Sequence, residues 1–239
     1  MGDTVTTAGP AAGSTSGRDP RALAARIWFG AIAVIVAAAL VIQITLILTG
    51  GQDVNSTTSA TSASSETLAT KFVRLFSYFT IQSNLFVLGT SIALLVSIRR
   101  DGPVWRVLRL DAMLGIIITG LVYETILAPL VHPQGWALAA TIGFHYISPW
   151  ATLIGWLIFG PRPRMGWRAA AAAFIWPIAW LVYTFVHGAI TSWYPYPFLD
   201  VTVTGFGESV RNCLGILLIA MVIAAILTLL DKRLPSLIR

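Results

Sequence analysis

Thr80 and His145 carry the two side chains of this sequence best suited to chemistry inside a membrane. Thr80 lies in the segment FSYFTIQSNLFVLGTSIALLVSI and His145 in GFHYISPWATLIGWLIF, and both segments are strongly apolar. A histidine that removes the proton of a hydroxyl group converts it into a nucleophile for acyl transfer. The two residue types therefore predict an ester-cleaving pair, provided that the fold brings Oγ within about 3–4 Å of the imidazole.

Counting along the apolar segments places the two side chains at one depth. Thr80 follows Lys71 by nine residues, and His145 follows Trp136 by nine residues. At about 1.5 Å per residue, each lies about 13 Å along a helix that descends from the same face. Glu124 lies about 9 Å below that face on a helix that rises toward it. Polar groups thus gather in the outer half, whereas the inner half is almost purely apolar, which favours a cavity that opens outward.

A stripe of polar side chains accompanies Thr80 on its segment. Ser77, Thr80 and Asn84 are spaced i, i+3 and i+7, so a continuous helix would present them on one face. Such residues either line a pocket or form hydrogen bonds between membrane helices. In the first interpretation, Asn84 or a neighbouring hydroxyl donates a hydrogen bond to the developing oxyanion.

The pair also needs a group that orients the imidazole. Glu124 and Asp200 are the two acidic candidates, and the sequence does not decide between them. The residues predicted to support the site are Asn84, Glu124, His187, Asp200 and Arg211.

The composition requires a membrane environment for these residues. Of 239 residues, 56% are hydrophobic and only 11% are charged, and the mean hydropathy is +0.77. A soluble domain carries about 25% charged residues. Cys213 is the single cysteine, so no internal disulfide can form and a cysteine-based metal site is not expected.

Six apolar runs of spanning length follow one another, which predicts an all-α, six-helix membrane bundle. We place them at about 27–48, 72–98, 112–130, 136–159, 168–186 and 209–230. The alternation over about ten residues that is typical of barrel strands is absent. Residues 1–22 are predicted to be a disordered tail, 23–232 the membrane domain, and 233–239 a C-terminal tail.

The basic residues bracket these runs and predict their orientation. Thirteen of the 16 Lys and Arg residues lie at one face, namely Arg18, Arg21, Arg26, Arg99, Arg100, Arg106, Arg109, Arg162, Arg164, Arg168, Lys232, Arg233 and Arg239. Such an excess marks the cytoplasmic face, so both termini are expected to be cytoplasmic, in a bacterial plasma membrane. The net charge of +6 reflects this topology and does not predict a nucleic-acid partner.

The last outer loop, at about 187–208, is rich in aromatic residues and proline. Trp193, Tyr194, Tyr196 and Phe198 suit either a lid over a pocket or an aromatic belt at the lipid headgroups.

Two other functions remain open from the residues alone. Three histidines with Glu124 and Asp200 permit a zinc-activated water, although no H-x-x-x-H or H-E-x-x-H spacing occurs. A transporter or a lipid-binding regulator would share the outward cavity, but no paired interrupted helices or internal repeat is seen. We therefore expect no metal and no cofactor, and a membrane lipid or lipid ester as the partner.

Three segments of the chain resemble one family. They are Tyr78-Phe79-Thr80 with Gln82 and Asn84, then His145 followed by a proline, and then the stretch from Trp180 to Leu199 that contains His187, Trp193 and Tyr196-Pro197-Phe198-Leu199-Asp200. In these segments, and in the order of its spans over about residues 25–232, the chain is similar to the androgen-induced and androgen-dependent six-span membrane proteins and their bacterial relatives.

The resemblance implies an activity and a pair of essential residues. Characterised animal members are threonine hydrolases of fatty acid esters of hydroxy fatty acids. Their essential threonine lies on the second span and their essential histidine on the fourth. By motif, these correspond to Thr80 and His145, so the resemblance implies hydrolysis of a lipid ester by this pair.

Overall fold

A computed structural model describes residues 19–51, 66–162 and 165–238. Within these ranges the chain is helical and has no β-strand. Six of its helical segments are long and apolar enough to cross a membrane: Pro20–Thr49, Phe79–Val96, Pro103–Leu130, Gly135–Phe159, Trp167–Thr191 and Phe206–Arg233. The predicted all-α architecture with six candidate spans is confirmed, and the chain has the features of a multi-pass membrane protein.

The described residues form ten α-helices and four short irregular turns of helix. The α-helices are α1 (Pro20–Thr49), α2 (Leu68–Ser77), α3 (Phe79–Val96), α4 (Pro103–Val122), α5 (Gly135–Thr141), α6 (Ser148–Phe159), α7 (Trp167–Ala172), α8 (Ile175–Thr191), α9 (Val201–Thr204) and α10 (Phe206–Arg233). Two π-helical turns (Tyr123–Leu127 and Ile142–Ile147) and two 3₁₀ turns (Ala128–Leu130 and Pro197–Leu199) complete the set.

The first helix begins earlier than the sequence predicted. Asp19 caps α1 by accepting a hydrogen bond from the backbone N–H of Arg21, and Pro20 occupies the first turn, where a missing N–H costs nothing. Residues 20–22, predicted to belong to the tail, are therefore helical. Residues 1–18 lie outside the described part of the chain.

The second predicted span is interrupted, which corrects the continuous helix at 72–98. Tyr78 adopts an extended conformation, with φ −68° and ψ 129°, and separates α2 from α3. Ser77 therefore lies on a different helix from Thr80 and Asn84, and the three do not form one stripe. The hydroxyl of Ser77 contacts the Tyr183 hydroxyl instead, at 2.6 Å.

The third span begins nine residues before the predicted start at residue 112. Pro103 opens α4, and Arg106 donates two hydrogen bonds to Asp101, which lower the pKa of that carboxyl to about 2. Arg109 and Asp111 are then interior residues of α4, exposed by only 1% and 5%. The prediction of an almost purely apolar inner half was wrong, because charged residues had been taken to mark a loop.

Close packing between α1 and α6 depends on Gly155. A Cβ at this position would lie 2.4 Å from Nε1 of Trp28. That indole N–H donates a hydrogen bond to the carbonyl oxygen of Ala151, at 3.0 Å. Small residues at such crossings let membrane helices approach one another closely.

The basic residues of several loops and ends share one end of the bundle. Ser236, near the C-terminus, donates a hydrogen bond to the carbonyl of Phe159, and Arg162 bonds to the carbonyl of Pro235. At the same end, Arg26 of α1 lies beside Arg99 in a surface cleft. The start of α1, the loops after α3 and α6, and the end of α10 therefore meet at one face.

The packing at Gly155 gives a test of the fold with an internal control. We expect Gly155→Ala to lower the unfolding free energy by about 1–3 kcal/mol, because the added methyl group must displace Trp28. Gly89→Ala is the matched control, since a Cβ on Gly89 meets no described atom within 4 Å. Thermal unfolding in detergent measures both. Equal melting temperatures for the two variants would contradict this packing.

Candidate active site

Thr80 and His145 lie in contact in the interior of the bundle. Oγ1 of Thr80 is 3.5 Å from Nε2 of His145, and the two residues are 3% and 2% exposed. One comes from the first turn of α3 and the other from the π-helical turn between α5 and α6. The distance falls in the range required of a nucleophile and its base before substrate binds.

The backbone determines which ring nitrogen of His145 faces the hydroxyl as an acceptor. Nδ1 lies 3.2 Å from the carbonyl oxygen of Thr141. Because a carbonyl oxygen can only accept, Nδ1 carries the proton in this contact. Nε2 then presents its lone pair toward Thr80, which is the arrangement a general base needs.

Tyr196 completes the hydrogen bonding around Thr80, and sequence reasoning did not single it out as a site residue. Its hydroxyl oxygen accepts the backbone N–H of Thr80 at 3.1 Å and lies 3.1 Å from Thr80 Oγ1. The tyrosine belongs to the loop after α8 and is 6% exposed. The available signal was its place in the Tyr196-Pro197-Phe198-Leu199 string, which had been interpreted only as an aromatic cap and as part of the resemblance.

The break at Tyr78 gives Thr80 a special backbone position. Because α3 begins at Phe79, Thr80 lies in its first turn, and its backbone N–H bonds to the Tyr196 hydroxyl instead of a helix carbonyl. The positive end of the helix dipole is located there and stabilises negative charge nearby. A continuous helix through residue 80 would have removed this feature.

The imidazole of His145 packs against a second irregular segment, the π-helical turn of the third span. The ring of Tyr123, at the start of the π-helical turn of the third span, stacks on the imidazole with 3.9 Å between centroids. A Cβ at Gly120 would lie 3.0 Å from Pro149 and 3.4 Å from the carbonyl oxygen of His145. Gly120 therefore permits α4 to pack closely against the fourth span beside His145.

A narrow cavity of about 80 Å³ begins at Thr80. It is lined by residues of α3, α4, α8 and α10, and by Tyr196, Phe198 and Leu199 of the loop after α8. His145 lies behind Thr80 and does not contribute to the wall. Thr80 thus lines the cavity, its hydroxyl contacts the imidazole, and residues of the aromatic loop line the same cavity.

The cavity borders the lipid-facing side of the bundle between two helices. Its wall includes Trp176 and Pro177 of α8 and Ile216 and Leu217 of α10, all of which are only half-buried. The cavity is therefore only partly enclosed on the side of α8 and α10.

Asn84 lies beside the pair, but its amide is not aimed at an oxyanion. Its Nδ2 donates to the carbonyl oxygen of Thr80 at 2.9 Å and to that of Phe144 at 3.4 Å. Both amide hydrogens are thereby occupied. Asn84, which was predicted to donate to the oxyanion, instead links α3 through hydrogen bonds to the π-helical turn that carries His145.

Neither acidic candidate orients the imidazole. Glu124 accepts a hydrogen bond from the Tyr146 hydroxyl at 2.8 Å, and Asp200 caps α9 by accepting from the backbone N–H of Thr202 at 2.9 Å. The backbone carbonyl of Thr141 performs the role predicted for a carboxylate. A sequence motif cannot report this, because every residue has a carbonyl group.

The remaining predicted residues lie away from the pair. His187 stacks on Tyr183 and meets Trp193 edge-on near the end of α8, and Arg211 forms an exposed ion pair with Glu208. Among the described residues, no group of three His, Cys, Asp or Glu side chains lies close enough to hold a metal ion. The zinc alternative therefore has no ligand set in this part of the chain.

Comparisons with protein-family models, with curated proteins and with solved structures found no match.

Proposed function

We propose that the protein is a membrane-embedded lipid-ester hydrolase with Thr80 as nucleophile and His145 as base. The observation that carries this proposal is the buried contact between Thr80 Oγ1 and the acceptor nitrogen of His145, with Thr80 in the lining of a largely apolar cavity. The resemblance to the six-span threonine hydrolases supports the same pair. An acyl chain enters laterally between α8 and α10.

The first half-reaction forms an ester on the protein. Oγ1 of Thr80 attacks the carbonyl carbon of the substrate while Nε2 of His145 takes the hydroxyl proton. The Tyr196 hydroxyl and the first turn of α3 stabilise the oxyanion. The C–O bond to the alcohol then breaks, and the alcohol leaves with the proton from Nε2.

The second half-reaction restores the threonine. Nε2 of His145 removes a proton from a water molecule, and the resulting hydroxide attacks the acyl carbon. The bond to Oγ1 breaks, Thr80 regains its proton from His145, and a fatty acid is released. The Thr141 carbonyl keeps Nδ1 protonated throughout, so that Nε2 alone exchanges protons.

Loss of either member of the pair should abolish hydrolysis. We expect Thr80→Ala and His145→Ala to lower kcat/KM for p-nitrophenyl decanoate by at least about a hundredfold, since a positioned base contributes that much or more. Purified protein in detergent micelles is assayed for nitrophenol release.

The control for this pair is Thr90→Ala on the same helix. Thr90 is a buried threonine whose hydroxyl bonds only to backbone carbonyls of α3, so its loss should leave turnover unchanged. Turnover that survives in folded Thr80→Ala protein would refute the proposed nucleophile. Specific ester binding without any turnover in the wild type would favour the lipid-binding alternative.

The Tyr196 hydroxyl should act mainly in the transition state. We expect Tyr196→Phe to lower kcat by about a hundredfold with little change in KM, as for other oxyanion donors. Tyr183→Phe is the control, because its hydroxyl bonds to Ser77 away from the cavity. A Tyr196→Phe protein that changes only KM would show that the hydroxyl serves binding alone.

We also place both termini in the cytoplasm, since the basic residues gather at the end of the bundle where α1 begins and α10 ends. Alkaline phosphatase fused after residue 239 should therefore be inactive in a bacterial host, and green fluorescent protein fused there should fluoresce. An active phosphatase fusion would reverse the orientation and place the site near the inner leaflet.

A further inference from the structure

Asp111 is a buried carboxyl group for which the hydrolytic mechanism has no use. It lies in the interior of the third span, is 5% exposed, and lines the same cavity as Thr80. Its Oδ1 has no hydrogen-bond partner within the part of the chain that the structure describes. An unmatched carboxyl oxygen in an apolar membrane segment costs free energy unless a ligand satisfies it.

Asp111 and Thr80 lie toward opposite ends of the cavity. A Cβ at Gly115 of α4 would lie 2.9 Å from Oγ of Ser83 of α3, so these two residues lie at the same height along the bundle axis. Thr80 is three residues from Ser83 toward one end, and Asp111 is four residues from Gly115 toward the other end. At about 1.5 Å per residue, the two are separated by about 10 Å along the bundle.

The wall between them is mostly apolar, and includes Leu114, Gly115 and Ile118 of α4 and Ala220 of α10, with the ring of Trp176. Thr119 of α4, whose hydroxyl also has no partner among the described residues, lies nearer the Thr80 end. The indole N–H of Trp176 is occupied by Gln82, at 2.8 Å, and does not offer a hydrogen bond to the cavity. A ligand that fills the cavity must therefore be apolar in the middle and polar at the Asp111 end.

We infer that the cavity selects an acyl chain that carries a hydroxyl group about eight carbons from the ester carbonyl, and that Asp111 binds this hydroxyl. This inference rests on the proposed function. An extended chain advances about 1.25 Å per carbon, given C–C bonds of about 1.5 Å, so eight carbons span about 10 Å. A hydroxyl fits better than an ammonium group. Both can donate to a carboxyl oxygen, but moving the neutral hydroxyl out of water costs less free energy.

Position-specific esters test the inference on the wild-type protein. The probes are p-nitrophenyl esters of decanoic acid, 9-hydroxydecanoic acid and 3-hydroxydecanoic acid. We expect kcat/KM to be about tenfold higher for the 9-hydroxy ester than for the other two, because a site that hydrogen-bonds a hydroxyl discriminates against chains that lack it there. Equal values for all three esters would overturn the inference while leaving the hydrolase intact.

Substitution of Asp111 assigns the preference to this carboxyl. In Asp111→Leu protein the tenfold preference should disappear, with kcat/KM for the 9-hydroxy ester falling to the value that the same protein shows for the decanoate ester. Asp111→Asn keeps a hydrogen-bonding group and a similar volume, and should retain most of the preference. A preference that persists in folded Asp111→Leu protein would overturn the role of Asp111, as would a higher kcat/KM for a 9-amino ester than for the 9-hydroxy ester.

A binding measurement separates this inference from the proposed function. The change in Trp176 fluorescence on titration of Thr80→Ala protein with methyl 9-hydroxydecanoate and with methyl decanoate, with the Thr80→Ala, Trp176→Phe double variant as background, reports occupancy without turnover. Tighter binding of the hydroxylated ester by about tenfold supports the inference even where no ester is cleaved. Equal affinity contradicts it, whether or not hydrolysis occurs.

Discussion

The contact between Thr80 and His145 is the interaction on which the arrangement of this bundle's interior depends. It joins a helix break in the second span to a π-helical turn in the fourth, and Tyr196 adds the loop after α8 to the same hydrogen-bond network. Three segments far apart in sequence therefore meet at one hydroxyl group. Inside an apolar bundle these hydrogen bonds are stronger than in water, and leaving any of the groups unpaired would cost more.

The irregular backbone near this contact is possible only because the bundle encloses it. Lipid offers no hydrogen bonds, so a break such as Tyr78 or a π-helical turn must lie against protein. Gly120 allows α4 to pack on Pro149 and on the carbonyl of His145, and the Tyr123 ring covers the imidazole. Such turns are frequent at functional sites, and here they position the side chains of Thr80 and His145.

The sequence predicted the parts of the fold that follow from hydrophobicity and left out those that follow from tertiary contacts. The six spans were predicted because each is a long apolar run. The break at Tyr78 was not, since neither proline nor glycine marks it. The third span was predicted to begin at residue 112, just after Asp111, whereas Asp111 lies inside the span and lines a cavity. Thr141 and Tyr196 act through a carbonyl and a distant loop, and only the folded chain brings them to the pair.

The most direct test of the account is to trap the acyl group on the protein. Wild-type protein is mixed with p-nitrophenyl decanoate, quenched in acid within the first turnovers, and digested for mass spectrometry. The account predicts a decanoyl group on the peptide that contains Thr80, formed in a burst with nitrophenol release and absent from Thr80→Ala protein. Steady hydrolysis with no acylated Thr80, at a rate unchanged in Thr80→Ala protein, would contradict it.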